Sequence, residues 1–284
     1  MFNKYIEYEN YMGQSENTIK TYVKNVELFL STTDKVVNEI RRADVNMFLM
    51  EYRKDHAYNS FHLMYSALKS FFDVVSDDLG LIESNPMEGV KCPKMAQNES
   101  ESHHMPITKE QLDRMLMFAK NERDKAIILT YVSTGIRFVE LSNLTLAQYK
   151  TRVDGRITLE ITKGGEKRDI YLNKDVCKAI DSYIENMRKD GDYLFVSNQG
   201  TKMDGQSLTR TFKTICRRAN MDDLAETISN HCFRSTFATM NVEKGVPMEV
   251  VAKAMGHKNT TTCSVLFNHY YQASGSSLKS AFGC

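Results

Sequence analysis

Five residues between positions 137 and 257 have types and spacing suited to chemistry at a phosphodiester. Arg137 lies in Thr134-Gly135-Ile136-Arg137-Phe138-Val139-Glu140-Leu141, just after a helix-ending glycine. Lys163 opens the turn Lys163-Gly164-Gly165-Glu166, 26 residues later. His231 and Arg234 form His-Cys-Phe-Arg, an i,i+3 pair, and His257 closes Ala-Met-Gly-His, 23 residues after Arg234. Two guanidiniums can grip the non-bridging oxygens of a phosphodiester and stabilise the added charge of a pentavalent transition state. A lysine on a hairpin can protonate the leaving 5′ oxygen. Histidines near neutral pKa can accept a nucleophile's proton or donate to phosphate oxygens. A covalent intermediate would conserve the bond energy, so neither cofactor nor metal is expected.

Taken singly, each residue has a plainer reading. An arginine near a helix start usually pairs with a carboxylate, and Glu140 stands three positions on. A hairpin lysine is usually solvated, and a lone histidine is usually structural. Order and spacing together carry the argument. The six cysteines, Cys92, Cys177, Cys216, Cys232, Cys263 and Cys284, form no CxxC pair and no zinc-ligand pattern, so they read as small hydrophobes. His103 and His104 fall in a polar linker and read as a solvated pair. A net charge of +1 does not by itself announce a nucleic-acid binder, so positive charge must be gathered locally.

The elements that must position these residues follow from periodicity. Over residues 1–92, apolar residues recur at helical spacing in Ile19–Tyr22–Val23–Val26–Phe29–Leu30, Val45–Phe48–Leu49 and Leu63–Leu68–Phe71–Phe72, joined by polar segments at Ser31–Asp34 and His56–Ser60. This predicts a helical bundle. Residues 93–106 read as a linker, polar and with two prolines. A second domain, 107–284, opens with a capping box at Thr108 and Gln111 and the helix KEQLDRMLMFAK, followed by a helix over Lys125–Thr134 that stops at Gly135. Alternation in Ile157, Leu159, Ile161 and in Ile170, Leu172, around the glycine turn, predicts a β-hairpin. Helices resume with Asn173 as N-cap and Gly191 as stop, and continue to the C-terminus. The fold class is mainly α, an all-helical first domain and a mostly helical second one holding a small antiparallel sheet. No apolar run reaches the ~18–20 residues that cross a bilayer, and MFNKYIEYEN has no secretory apolar region, so a cytoplasmic chain is expected.

The pattern TG-x-R-x-x-EL, the hairpin T-K-G-G, H-x-x-R and then G-H resembles the catalytic core of the tyrosine recombinases, the phage integrase family. Ser15-Glu16-Asn17-Thr18-Ile19 with Tyr22, and Asn85-Pro86, resemble that family's core-binding domain more weakly. The resemblance implies that Arg137 and Arg234 bind phosphate, Lys163 is the general acid, His231 the general base and His257 the second histidine. It implies double-stranded DNA recombination sites as partner, a two-domain clamp on the duplex and four protomers on two sites, with the tail from Ser276 to Cys284 docking into a neighbour.

The pattern breaks at the nucleophile. Phe267-Asn268-His269 stands where the family carries Tyr-x-His, and a phenylalanine has no hydroxyl to attack phosphorus. Three accounts stay open: an engineered Tyr→Phe variant, a natural relative that binds DNA without cutting it, or Tyr270 as nucleophile against its plainer role in helix packing. Cys263 is a poor nucleophile toward phosphorus. For DNA contact, Arg210, Lys213 and Arg217 form a basic stripe at helical steps, and Lys20 and Lys24 lie one turn apart in the first domain; a solvated charged face competes with both readings. A metal-dependent phosphatase built on His231 and His257 lacks an acidic ligand set.

Overall fold

Local backbone chemistry decides where several of the described helices begin and end. The structure, a computed structural model, describes residues 1–95, 105–160 and 167–256. Lys163, His257, Phe267, Tyr270, Cys263, His103, His104 and the C-terminal tail lie outside the described residues. The chain divides into two compact units, Met1–Ser102 and His103–Cys284.

The first unit is helical among its described residues. Helices α1 (Phe2–Tyr11), α2 (Glu16–Leu30), α3 (Arg42–Asp55) and α4 (Tyr58–Asp73) enclose an apolar interior. The Ser15 hydroxyl accepts from the Thr18 amide and starts α2 by satisfying an orphan donor. The joint expected over His56–Ser60 is shorter, because α4 already begins at Tyr58. Phe29, Phe71 and Phe72 interlock as edge-to-face rings, with Tyr5 against Phe71.

The second unit carries α5 (Lys109–Phe118), α6 (Glu122–Thr134), α7 (Phe138–Asn143), α8 (Leu146–Lys150), β1 (Arg156–Leu159), β2 (Arg168–Tyr171), α9 (Lys174–Asn186), α10 (Gly205–Arg218), α11 (Asp222–Thr227), α12 (Asn230–Glu243) and α13 (Met248–Ala254). The Thr108–Gln111 capping box opens α5 as expected. Helix α6 starts three residues before the expected Lys125, because Asn121 caps it by accepting from the Asp124 amide. Asn173 caps α9 through the Val176 amide. That helix ends at Asn186 with Met187 as its cap, not at Gly191, which lies in the following loop. The hairpin is antiparallel, with Ile157 opposite Ile170 and Leu159 opposite Arg168. Alternation buries Ile157, Leu159 and Ile170 and leaves Tyr171 outside.

Three aromatic rings fix the helix that bears His231 and Arg234. Phe233 of α12 stacks on Tyr131 of α6 at 5.4 Å and meets Phe212 of α10 at 4.5 Å. Helix α6 terminates as the sequence predicts, at Gly135 in the left-handed region (φ 58°), whose amide donates to the Tyr131 carbonyl. A Cβ at this glycine would lie 2.5 Å from the Phe237 ring of α12. Both the backbone angle and the contact disfavour any side chain. Gly135→Ala is therefore expected to lower stability by about 2–3 kcal/mol, read as a lower midpoint in urea unfolding.

Candidate active site

Arg137, the first of the sequence-selected residues, is the N-cap of α7. Its amide donates to Glu140 Oε2 at 2.8 Å, and its Nη1 donates to Glu140 Oε1 at 3.0 Å. The plain reading of this arginine, a pair with the carboxylate three residues on, is thus realised. Its Nη2 has a different target, the Gly256 carbonyl at 2.8 Å, just past the end of α13.

Arg234, on α12, is buried, with 6% exposure. Its Nη1 donates to the carbonyl of Gly135 and its Nη2 to that of Met255 at 2.5 Å. The two arginines, distant in sequence, therefore meet at successive carbonyls of one chain segment, Met255 and Gly256. A buried guanidinium needs such acceptors, and a buried carbonyl needs a donor. His231 lies on the same helix but is exposed, so the i,i+3 spacing does not give the pair a common environment.

Sequence reasoning missed Arg168. It heads β2, and its Nη2 and Nε approach Glu140 Oε2 and Oε1 at 2.7 and 3.4 Å. Its Nη1 donates to the Ala254 carbonyl. Three guanidiniums thus donate to three consecutive carbonyls, Ala254, Met255 and Gly256, at the end of α13. The C-terminal end of a helix is the negative pole of its peptide dipoles, so cations are favoured there. The only sequence signal for Arg168 was a basic residue at the hairpin's return strand, which ordinarily means a solvated charge.

Glu140 is 2% exposed and receives both Arg137 and Arg168. Burial pushes its carboxyl upward, but the Arg168 hydrogen bond, the Arg137 amide and the two guanidinium charges outweigh that and hold it below the ordinary carboxylate range. Lys163 and His257 lie outside the described residues. Described residues on either side of Lys163 include Leu159 and Arg168, which pair with each other, and Gly256 precedes His257. Gly256 has φ +68°, and a Cβ there would lie 2.9 Å from Arg168 Cδ and 3.3 Å from Arg137 Nη1.

The candidate DNA-contact residues are partly tethered. On α10, Arg217 pairs with Glu226 at 2.9 Å and Lys213 donates to the Glu226 carbonyl at 3.2 Å, while Arg210 is exposed. In the first unit, Lys20 pairs with Glu16 at 2.6 Å, and Lys24 is exposed. Among the described residues no group of three His, Cys, Asp or Glu side chains is arranged to hold a metal ion, and no helix is long and apolar enough to cross a membrane.

Residues 106–274 match the phage integrase family, and residues 1–80 match the phage integrase N-terminal SAM-like domain. The chain belongs to the phage integrase family, the tyrosine recombinases. The tyrosine recombinase of Thermosipho africanus is 28% identical over 275 residues, covering 93% of this chain and 92% of its own length. Tyrosine recombinase XerA of Pyrococcus horikoshii is 27% identical over 265 residues, covering 93% and 86%. Among solved structures, a lambda integrase dimer bound to a COC′ core site superposes with TM-score 0.72 at 18% identity, over 93% of this chain and 75% of that one. The XerH site-specific recombinase bound to a palindromic difH substrate gives TM-score 0.72 at 19% identity, over 93% and 78%. The fold is that of these recombinases.

The depressed carboxyl of Glu140 has a thermodynamic sign. Its ion pairs contribute fully above the ordinary carboxylate value of 4.5 and are lost as pH falls through the lowered folded-state value. Stability is expected to drop on acidification below about pH 4.5, and less steeply in Glu140→Gln, a substitution that itself costs roughly 3 kcal/mol at neutral pH. Denaturant unfolding across that pH range checks both slopes.

Proposed function

We propose that this chain is a site-specific DNA recombinase whose chemistry cuts and rejoins double-stranded DNA through a 3′-phosphotyrosine, without a metal or cofactor, and that Phe267 disables the cutting step in this chain. The observation that carries the reading is the convergence of Arg137 and Arg234 on the carbonyls of Met255 and Gly256. Two guanidiniums gathered at one spot supply the bidentate donors that a phosphodiester in its transition state requires.

In this reading Arg137 and Arg234 hold the scissile phosphate. Lys163 protonates the leaving 5′ oxygen, His231 accepts the nucleophile's proton, and His257 donates to a phosphate oxygen. Arg210, Lys213, Arg217, Lys20 and Lys24 contact backbone phosphates. Arg217 and Lys20 take up that role by exchanging their carboxylate partners, and Lys213 by exchanging the Glu226 carbonyl, for phosphate. The active assembly is a cytoplasmic tetramer on two sites, serving a mobile element, with the two domains on either side of a linker at residues 93–106.

Phe267 itself favours a second reading, a natural paralogue that binds DNA and does not cleave it. The Phe267→Tyr variant separates the two. Incubated with nicked duplexes selected for binding from a random-sequence pool, it is expected to form a covalent protein–DNA adduct that survives denaturing electrophoresis, while the parent chain forms none. Absence of any adduct sinks the enzyme reading. Adduct from the parent chain would instead identify Tyr270 or another residue as the nucleophile.

Arg234 also satisfies buried carbonyls, so its role in catalysis is best tested with the charge kept. In the Phe267→Tyr background, Arg234→Lys loses the planar fork. Cleavage is expected to fall about a hundredfold or more, as for loss of a transition-state donor, while DNA affinity changes by less than about threefold. Equal losses in both would remove Arg234 from the phosphate site.

A further inference from the structure

Arg137 and Arg168 share one buried carboxylate, yet their remaining commitments differ. Arg168 spends Nε and Nη2 on Glu140 and Nη1 on the Ala254 carbonyl, so each of its three nitrogens is engaged. Its side chain is 11% exposed. Among the described residues the Arg137 guanidinium is bonded through Nη1 and Nη2, and its side chain is 21% exposed. Arg168 is thus the inner cation and Arg137 the outer one.

The charge balance of this trio decides what Arg137 can do. An isolated Arg137–Glu140 pair would be neutral, and its carboxylate would repel an approaching anion. With a second guanidinium on the same carboxylate, the trio carries one net positive charge. The more exposed member, Arg137, is where an anion can reach that charge. Neither Nη contact of Arg137 uses its Nε–H, and a guanidinium has five N–H donors in all.

We propose that Arg168 is a positioning residue that neutralises Glu140, leaving the charge of Arg137 to a phosphate oxygen while fastening β2 to the end of α13. The proposal rests on the reading of Arg137 as a phosphate ligand. It assigns Glu140 the geometric task of orienting Arg137 through the amide and Nη1 bonds, and Arg168 the electrostatic task of cancelling the repulsion that this orientation brings.

The test uses the full chain with inorganic phosphate as probe, titrated at low ionic strength and followed by the Nε–Hε NMR signals of the arginines. Arg168→Gln is expected to weaken phosphate binding about tenfold, the effect of restoring an uncompensated carboxylate several ångströms from the ligand. Adding Glu140→Gln to Arg168→Gln removes that carboxylate and is expected to bring affinity back to within about threefold of the parent. A purely structural role for Arg168 makes the double variant no better than the single one, and that result overturns the proposal. Arg168→Lys keeps the charge and is expected to bind within about threefold of the parent.

Arg137→Gln serves as the control for the underlying reading. If it leaves phosphate affinity unchanged, Arg137 is not a phosphate ligand and the proposal falls with that reading. If Arg137→Gln weakens binding and Arg168→Gln does not, only the role of Arg168 is overturned. Should Arg168→Gln alone fail to fold, the double variant and Arg168→Lys decide: a folded form of either that binds tenfold more weakly than the parent overturns the proposal.

Discussion

One buried carboxylate, Glu140, organises the candidate site of the second unit. Placing a charge in the interior is costly unless it is paired and hydrogen-bonded on all sides. Glu140 meets that demand by drawing in a backbone amide and two guanidiniums. Each guanidinium in turn must find further acceptors, and both find them where α13 ends, at the carbonyls of Ala254 and Gly256. One short helix, a strand of the hairpin and a helix cap are joined because one acid cannot be buried alone.

Arg234 extends the same logic from another direction. It reaches the Met255 carbonyl from α12 and ties it to Gly135 at the end of α6. The aromatic stack of Tyr131, Phe212 and Phe233 packs α12 against α6 and α10 where Arg234 leaves it. Apolar packing sets the helix, and hydrogen bonding sets the guanidinium. Neither alone would bring two arginines from remote parts of the chain to adjacent carbonyls.

What could be read from the sequence was mostly what short-range rules control. Gly135 ends α6 because a left-handed residue ends a helix, and Thr108 and Asn173 begin helices because their side chains accept from amides three residues on. The two paired strands follow from the alternation of Ile157 and Leu159 and of Ile170 and Leu172. Gly191 misled because a loop glycine and a helix-ending glycine look alike in sequence, and α9 stops earlier without one. In the candidate site, Arg137 and its partner Glu140 were legible because they are three residues apart. Arg168 was not, since its importance comes from meeting Glu140 and Ala254 across the fold, and nothing in its neighbours distinguishes it from a solvated base. The shared i,i+3 spacing of His231 and Arg234 likewise did not disclose that one is exposed and the other buried.

Gly256 also restricts how this part of the chain can vary over time. Its left-handed backbone is one barrier to replacement, and the crowding of Arg168 and Arg137 around its missing Cβ is another. The two barriers are independent, so relaxing one does not open the position. An asparagine, which tolerates the backbone angle, would still press on both guanidiniums. Sequence drift here must therefore proceed in concert with the arginines, and a single codon change at 256 would disturb the charge pattern of residues that lie far away along the chain.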